Sequence, residues 1–351
     1  MIVGICGPAG IGKTTIARAL HSCLSSNFQL NCFMENIREI YNSCGHNEYS
    51  SKLCLQKKLL SNILNQDGMK VDNLGAIRER LCEQKVFIIL ADVDDLKQLE
   101  ALADETNWFG PGSRVIVTTE DRELLKKHDI NNTYHVAFPT EEEARKIFCR
   151  YAFRKSSKQD GFEKLIERVT ELCSKLPLGL RVMGSYLCKK TKDDWEDILQ
   201  RLEKSLDPVE LDIERVLRVG YDSLRKKDQL LFLFIAIFFN CKDDVHVQDM
   251  LAENNLNVRL GLKTLENKSL IQRSIEGNIV MHKLLQQVGR EAIQRQDPGR
   301  REILIDTDDI LTFLENDSDR TSVIGISLDM STILNNTICY ICYNTIWLEN
   351  V

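Results

Sequence analysis

Ile2-Val3-Gly4-Ile5-Cys6-Gly7-Pro8-Ala9-Gly10-Ile11-Gly12-Lys13-Thr14-Thr15 is the stretch on which the reading of this chain turns. Gly7 to Thr14 satisfies the spacing G-x-x-x-x-G-K-[ST]. Ile2 to Cys6 is a short apolar run, and Thr14 to Leu24 carries apolar residues at helical spacing, so the expected order is strand, loop, helix. In that setting the glycines let successive backbone N–H groups turn inward as a nest for phosphate oxygens. The helix that follows aims its positive end at the same anion. Lys13 would reach the β- and γ-phosphates, and the Thr14 hydroxyl would hold Mg²⁺. The competing reading is an accidental glycine turn. The strand before the loop and the amphipathic helix after it argue against that.

Outward from this loop, Asn31 to Met34 reads as a second strand, and helices are expected from Ser50 to Leu64 and from Leu74 to Gln84. Val86-Phe87-Ile88-Ile89-Leu90 is continuously apolar and suits a parallel strand buried on both faces. Asp94 to Ala103 reads as helix, Pro111-Gly112 as a turn, and Arg114 to Thr118 and Tyr134 to Phe138 as further strands. Alternating strands and helices imply an α/β doubly wound parallel sheet of the P-loop kind over 1–138. After Pro139 the spacing becomes helical. Thr140 and Glu143 are placed to form a capping box, and breaks fall at Pro177 and at Asp207-Pro208. Expected units are therefore a helical subdomain at 139–208 and a winged-helix subdomain at 209–299. The latter closes in a hairpin from Leu270 to Met281 and is followed by a loop at Asp297-Pro298-Gly299. Residues 300–351 read as a linker and an irregular tail, with no periodic pattern after Thr337.

At 351 residues the chain has room for two or three domains, taking roughly 100–200 residues for each. Its formal net charge of −6 disfavours nucleic acid and anionic membranes as partners. The basic clusters Lys57-Lys58 and Arg225-Lys226-Lys227 sit among carboxylates and read as solvated helix faces. Twelve cysteines show no repeated spacing. Cys339 and Cys342 form a lone CxxC without further ligands, so free thiols in a reducing compartment are expected rather than zinc. The apolar N-terminus lacks a basic region and runs straight into the loop, unlike a signal peptide. The apolar run from Leu230 to Phe239 is about half a membrane span. The expected location is intracellular and cytoplasmic, with the nucleus left open.

A magnesium-binding acid is expected at the end of a buried strand, and Asp92 after Val86–Leu90 is the candidate metal ligand and catalytic residue. Its alternative role is that of an acid at a helix N-terminus.

These residues resemble the nucleotide-binding (NB-ARC) domain of plant disease-resistance proteins, in the subgroup whose members begin with a TIR domain. Gly7 to Thr15 is similar to the family's P-loop, Phe33 to Arg38 to the segment after its second strand, and Val86 to Leu99 to its Walker B region. Gly112 to Thr119 resembles its sensor strand and Lys175-Leu176-Pro177-Leu178 its Gly-Leu-Pro-Leu motif. Phe234 to Phe239 matches the subgroup's core helix, and Met281-His282-Lys283 stands where Met-His-Asp belongs. The resemblance implies a switch that ADP holds closed and ATP opens for oligomerisation with related resistance proteins and for defence signalling. It brings Ile11 and Thr15 into the nucleotide-binding set with Gly7, Gly10, Gly12, Lys13 and Thr14. It also implies that Pro177 packs near base and ribose and that His282 contacts the β-phosphate. Read from the residues alone, such a proline is a helix start and such a histidine structural.

Three positions depart from the family. Ala91 replaces the first Walker B aspartate, Glu120 stands where many relatives carry an arginine that senses the γ-phosphate, and Lys283 replaces the acid of Met-His-Asp. All three weaken triphosphate chemistry more than diphosphate binding, so ADP is the expected ligand, with Mg²⁺ accompanying ATP. Relatives have a TIR domain and an adenine-contacting loop before the first strand and leucine-rich repeats after the last unit. Arg320 to Met330 resembles the lead-in to those repeats, so the expectation is a truncated relative or an incomplete gene model. Two further readings stay open at this point: an active P-loop ATPase, and an interaction fragment that binds no nucleotide.

Overall fold

The computed structural model describes residues 1–43, 47–66, 68–154, 161–204, 212–254, 256–297, 301–315, 323–327 and 345–347. They form two compact units, one of Met1–Thr140 with Leu176–Leu178, the other of Glu141–Lys175 with Gly179–Val351. The Asp207-Pro208 break, the loop from Pro298 and the Cys339/Cys342 pair lie outside the described residues.

The first unit runs β1 (Ile2–Cys6), α1 (Lys13–Leu24), β2 (Leu30–Met34), α2 (Ile37–Ser43), α3 (Glu48–Leu64), α4 (Ala76–Leu81), β3 (Val86–Leu90), α5 (Leu96–Ala103), β4 (Arg114–Thr119), α6 (Arg122–Lys127) and β5 (Thr133–His135). Its five strands are parallel, in the order β2-β3-β4-β1-β5. All five residues of β3 are buried. Successive strand side chains point to opposite faces, so this strand is covered on both, as its unbroken apolar run predicts. On α3, Leu55, Leu59 and Ile63 recur every fourth residue and are all buried. Each such side chain stabilises the fold by about 1.5–3 kcal/mol. Asn47 starts that helix by accepting a bond from Ser50 N–H at 2.8 Å.

Two elements differ from expectation. The predicted Leu74–Gln84 helix is regular only over Ala76–Leu81. The strand predicted at Tyr134–Phe138 is shifted to Thr133–His135. It lies at the sheet edge with all three residues exposed, and Pro139, which has no N–H, follows soon after.

The second unit begins with α7 (Glu141–Ala152), α8 (Glu163–Leu172), α9 (Pro177–Leu187) and α10 (Lys192–Lys204). Their core gathers on Trp195, which is 1% exposed, lies within 4.8–5.6 Å of the rings of Phe148, Phe153 and Phe162, and donates its indole N–H to Leu187 O at 3.0 Å. Next come α11 (Asp212–Asp222), α12 (Lys226–Phe234), a π turn at Ile235–Phe239, α13 (Asp244–Met250) and α14 (Val258–Asn267). The expected hairpin is present as antiparallel β6 (Gln272–Arg273) and β7 (Ile279–Val280), followed by α15 (Lys283–Gln294). Gly289 on α15 lies so close to the π turn that an added Cβ would sit 2.7 Å from Ala236 Cβ. Where a linker and irregular tail are expected, the structure adds β8 (Ile303–Leu304), α16 (Thr307–Glu315), β9 (Gly325–Ser327) and β10 (Thr345–Trp347), with the three strands in one sheet.

Among the described residues eight cysteines are free thiols, four of them buried at Cys6, Cys32, Cys149 and Cys173. The expectation of free thiols fails at Cys54, which is disulfide-bonded. No helix among the described residues is long and apolar enough to cross a membrane.

Candidate functional site

Because every strand of the first sheet runs the same way, the chain leaves β1, β3 and β4 along one edge, where α/β folds place their ligands. The glycine loop leaves β1 there. Ile11, 4% exposed, anchors the loop, and its N–H donates to Pro8 O at 3.3 Å. Gly10 and Gly12 have φ of 77° and 101°, left-handed values that a side chain resists. At Gly10 an added Cβ would also meet Leu178 Cβ at 3.0 Å. At Gly12 it would meet nothing within 4 Å, so the loop leaves open space in front of the helix it introduces. That helix carries no acidic residue in its first turn, and its positive end is not offset by its own side chains.

Lys13 is 4% exposed, and its ammonium donates to Gly7 O at 3.0 Å and Pro8 O at 3.1 Å. It also lies 3.6 Å from the Glu120 carboxylate. Thr14, half-buried, donates its hydroxyl to Asp92 Oδ2 at 3.2 Å, whereas Thr15 is exposed. Asp92 has a φ of 56°, a conformation that aspartate tolerates better than most residues. Thr118 fixes it there. Its hydroxyl accepts the Asp92 N–H at 2.8 Å, and its carbonyl accepts the Val93 N–H at 2.9 Å. Asp95, not Asp92, caps the next helix, accepting Lys97 N–H at 2.9 Å. Asp92 precedes that cap by three residues and so lies outside the helix N-terminus that was its alternative place.

Two oxygen donors, Thr14 and Asp92, thus adjoin the phosphate loop. The residues suit Mg²⁺, which takes one or two protein oxygens and completes its shell with water and substrate phosphate. The preceding position, Ala91, is 1% exposed and its side chain supplies no oxygen. Among the described residues no cluster of three or more His, Cys, Asp or Glu could hold a metal by itself.

The two outlying residues sit differently. Pro177 is the first residue of α9, where its missing N–H costs nothing. Its neighbour Leu178 donates its N–H to Gly10 O at 3.2 Å, so this turn packs with the phosphate loop inside the first unit. His282 belongs to the second unit and caps α15, its Nδ1 accepting Leu284 N–H at 3.2 Å. In the neutral ring the proton then lies on Nε2, leaving that atom as a donor. Sequence reasoning missed Thr118 and the Lys13–Glu120 pair. Both depend on which strands are neighbours, which no local pattern reveals.

The NB-ARC domain family matches residues 1–158, and the winged-helix domain of Roq1-like disease-resistance proteins matches residues 225–297. The disease resistance protein RML1A of Arabidopsis thaliana is 60% identical over 332 residues, which cover 95% of this chain and 33% of that protein. The disease resistance protein TAO1 of the same plant is 46% identical over 340 residues, 96% of this chain and 28% of its own. The chain thus spans about a third of the length of the curated relatives it matches. Among solved structures, a Signal Transduction ATPase with Numerous Domains from Pyrococcus horikoshii aligns with 89% of this chain and 42% of its own, at 15% identity and a TM-score of 0.49. The NB-ARC match over residues 1–158, the winged-helix match over residues 225–297 and 46–60% identity to plant disease-resistance proteins over about 95% of its length place the chain in the NB-ARC family of plant disease-resistance proteins.

Proposed function

We propose that the chain binds an adenine nucleotide at its phosphate loop and serves as the nucleotide-dependent switch of a plant innate-immune signalling protein, with ADP as the resident ligand. The single observation that carries this reading is the convergence at one sheet edge of the left-handed glycines, the Lys13 ammonium and the Thr14–Asp92 pair. Gly7, Gly10, Ile11, Gly12 and Thr15 would offer backbone N–H groups to phosphate, Lys13 would neutralise it, and Pro177 would border base and ribose. His282, with Nε2 as a donor, would meet the β-phosphate in the ADP state. Thr14 and Asp92 would hold Mg²⁺ when ATP is bound, and the metal would supply charge neutralisation there. With Ala91 offering no second acid, hydrolysis is slow. The same reading expects an intracellular, cytoplasmic protein that assembles with related resistance proteins and engages neither nucleic acid nor membrane.

The test is chemical. Purified protein is denatured and the released small molecules are chromatographed. Near-stoichiometric ADP supports the proposal, and well-folded protein that releases no nucleotide and binds none on addition overturns it. Phosphate release with Mg²⁺ should stay below about one turnover per minute, far under the 1–10³ per second of ordinary enzymes. Faster release that Lys13→Ala abolishes would favour an active ATPase instead.

A further inference from the structure

The stretch that links the π turn to β7 and α15 holds an arrangement of its own, built on the backbone of Met281. We propose that Asn240 and Gln286 are positioning residues for His282: their side chains grip the residue just before it and so set where its imidazole stands when ADP is bound. The inference rests on the nucleotide-binding reading above and on the role given there to His282.

The grip follows from how the chain leaves α12. A π turn closes its hydrogen bonds over five residues rather than four, so it takes up one residue more than an α turn. The chain therefore leaves Ile235–Phe239 out of step with an unbroken helix, and Asn240 abandons helical geometry with φ −58° and ψ 137°. Cys241 follows in the left-handed region, with φ 67°. Its N–H donates to Ile279 O at 2.7 Å, and Ile279 N–H donates to Lys242 O at 2.8 Å, so this segment runs along β7. Asn240 thereby meets the residue that follows β7. Its Oδ1 accepts the Met281 N–H at 2.8 Å. From the other side, Gln286 of α15 donates its side-chain amide to Met281 O at 2.9 Å.

Both backbone groups of Met281 are thus bonded to side chains, and its own side chain is 1% exposed. His282 comes next and is tied to α15 in turn. Its carbonyl accepts Leu285 N–H at 2.8 Å and Gln286 N–H at 3.0 Å, and its Nδ1 accepts Leu284 N–H at 3.2 Å. The close approach of Gly289 to Ala236 seats α15 on the same π turn from which Asn240 emerges. The plainer reading is that Asn240 only satisfies a buried N–H, as most such groups are satisfied. The two readings differ in whether the effect of Asn240 on ADP passes through His282.

The experiment is calorimetric titration of the purified chain, stripped of nucleotide, with ADP, run as a double-mutant cycle on Asn240→Leu and His282→Ala. Leucine is close to asparagine in size and offers no acceptor to the Met281 N–H. Alone it should weaken ADP binding roughly ten-fold, the low end for a hydrogen bond to a charged group. His282→Ala should weaken it at least as much. With His282 already replaced, Asn240→Leu should change affinity by less than about two-fold, the scatter expected of independent sites. Asn240→Asp, whose carboxylate accepts the same N–H, should recover most of the loss. Circular dichroism reports the fold of each variant, and Gln286→Leu replaces Asn240→Leu in the cycle should that protein misfold. Equal weakening with and without His282 marks a merely structural role and overturns the inference. So does wild-type affinity in folded Asn240→Leu, or an aspartate variant as weak as the leucine one. If His282→Ala changes nothing while Lys13→Ala abolishes binding, this inference falls and the phosphate-loop proposal stands. Folded wild type that binds no ADP overturns both.

Discussion

The two units of this molecule use the same amino acids for different ends. In the first, the informative residues are polar, lie at the ends of strands or the start of a helix, and are held by hydrogen bonds: Thr118 on Asp92, Thr119 on Asp121, and Lys13 on two loop carbonyls. In the second, they are large rings packed on one another, as around Trp195, or helices in close approach, as at Gly289. Packing energy is spread over many atoms, so it can be large without being chemically specific. A strand-end hydrogen bond contributes little to stability but aims one side chain. The contrast teaches where to look for function: at positions where a small energetic term has a large geometric consequence.

The contrast can be broken, and the largest expected effect lies in the second unit. Trp195→Ala removes a buried indole and its bond to Leu187 O, and should lower stability by about 3–5 kcal/mol. Chemical denaturation measures this. A loss below about 1 kcal/mol would mean that the aromatic cluster is not the core it looks to be. In the first unit, Thr118→Val keeps the volume but leaves the Asp92 N–H without its hydroxyl acceptor, at a cost of about 1–3 kcal/mol. Its sharper consequence is on Mg-ATP affinity, which should fall more than ADP affinity because Asp92 loses its fixed orientation. Equal losses for both nucleotides would remove Asp92 from the metal site. Asp95→Ala deletes the cap of α5 and should cost about 1 kcal/mol with little effect on nucleotide affinity. This variant serves as the control for the previous one.

The smallest effect is a pH dependence. Glu48 is bonded to Lys52 and to Lys97, each at 2.8 Å, and these bonds hold its carboxyl down at about 2. A lowered carboxyl contributes stability above its unfolded value, near 4.3. That contribution is lost as pH falls from there toward about 2. Glu48→Gln should flatten the acid limb of the stability curve slightly, because the group is exposed and solvent screens it. An unchanged acid limb would show that the lysines do not hold it.

Legibility in the sequence followed range. The phosphate loop and β3 could be read because their signals are local: a glycine spacing in one case, five consecutive apolar residues in the other. The hairpin from Leu270 to Met281 was equally local. By contrast, the strand order β2-β3-β4-β1-β5 brings Lys13 beside Glu120 across more than a hundred residues, and no spacing rule encodes that pairing. Glu120 stood out only as a departure from relatives. That its carboxylate faces the lysine required the sheet. The π turn at Ile235–Phe239 looked like ordinary helix, since its residues are apolar throughout and its change in hydrogen bonding leaves no compositional trace. His282 shows the limit from the other side. The structure gives it a capping role that an isolated histidine would not have suggested, and its proposed phosphate contact belongs to a separate test.

The most direct test is equilibrium binding of fluorescently labelled ADP, followed by anisotropy, to wild type and to Lys13→Ala at equal protein concentration. Saturable wild-type binding near the micromolar range, about −8 kcal/mol, weakened roughly a hundred-fold by the substitution, is the predicted result. Superimposable curves for the two proteins, or no saturable binding by folded wild type, would contradict the account.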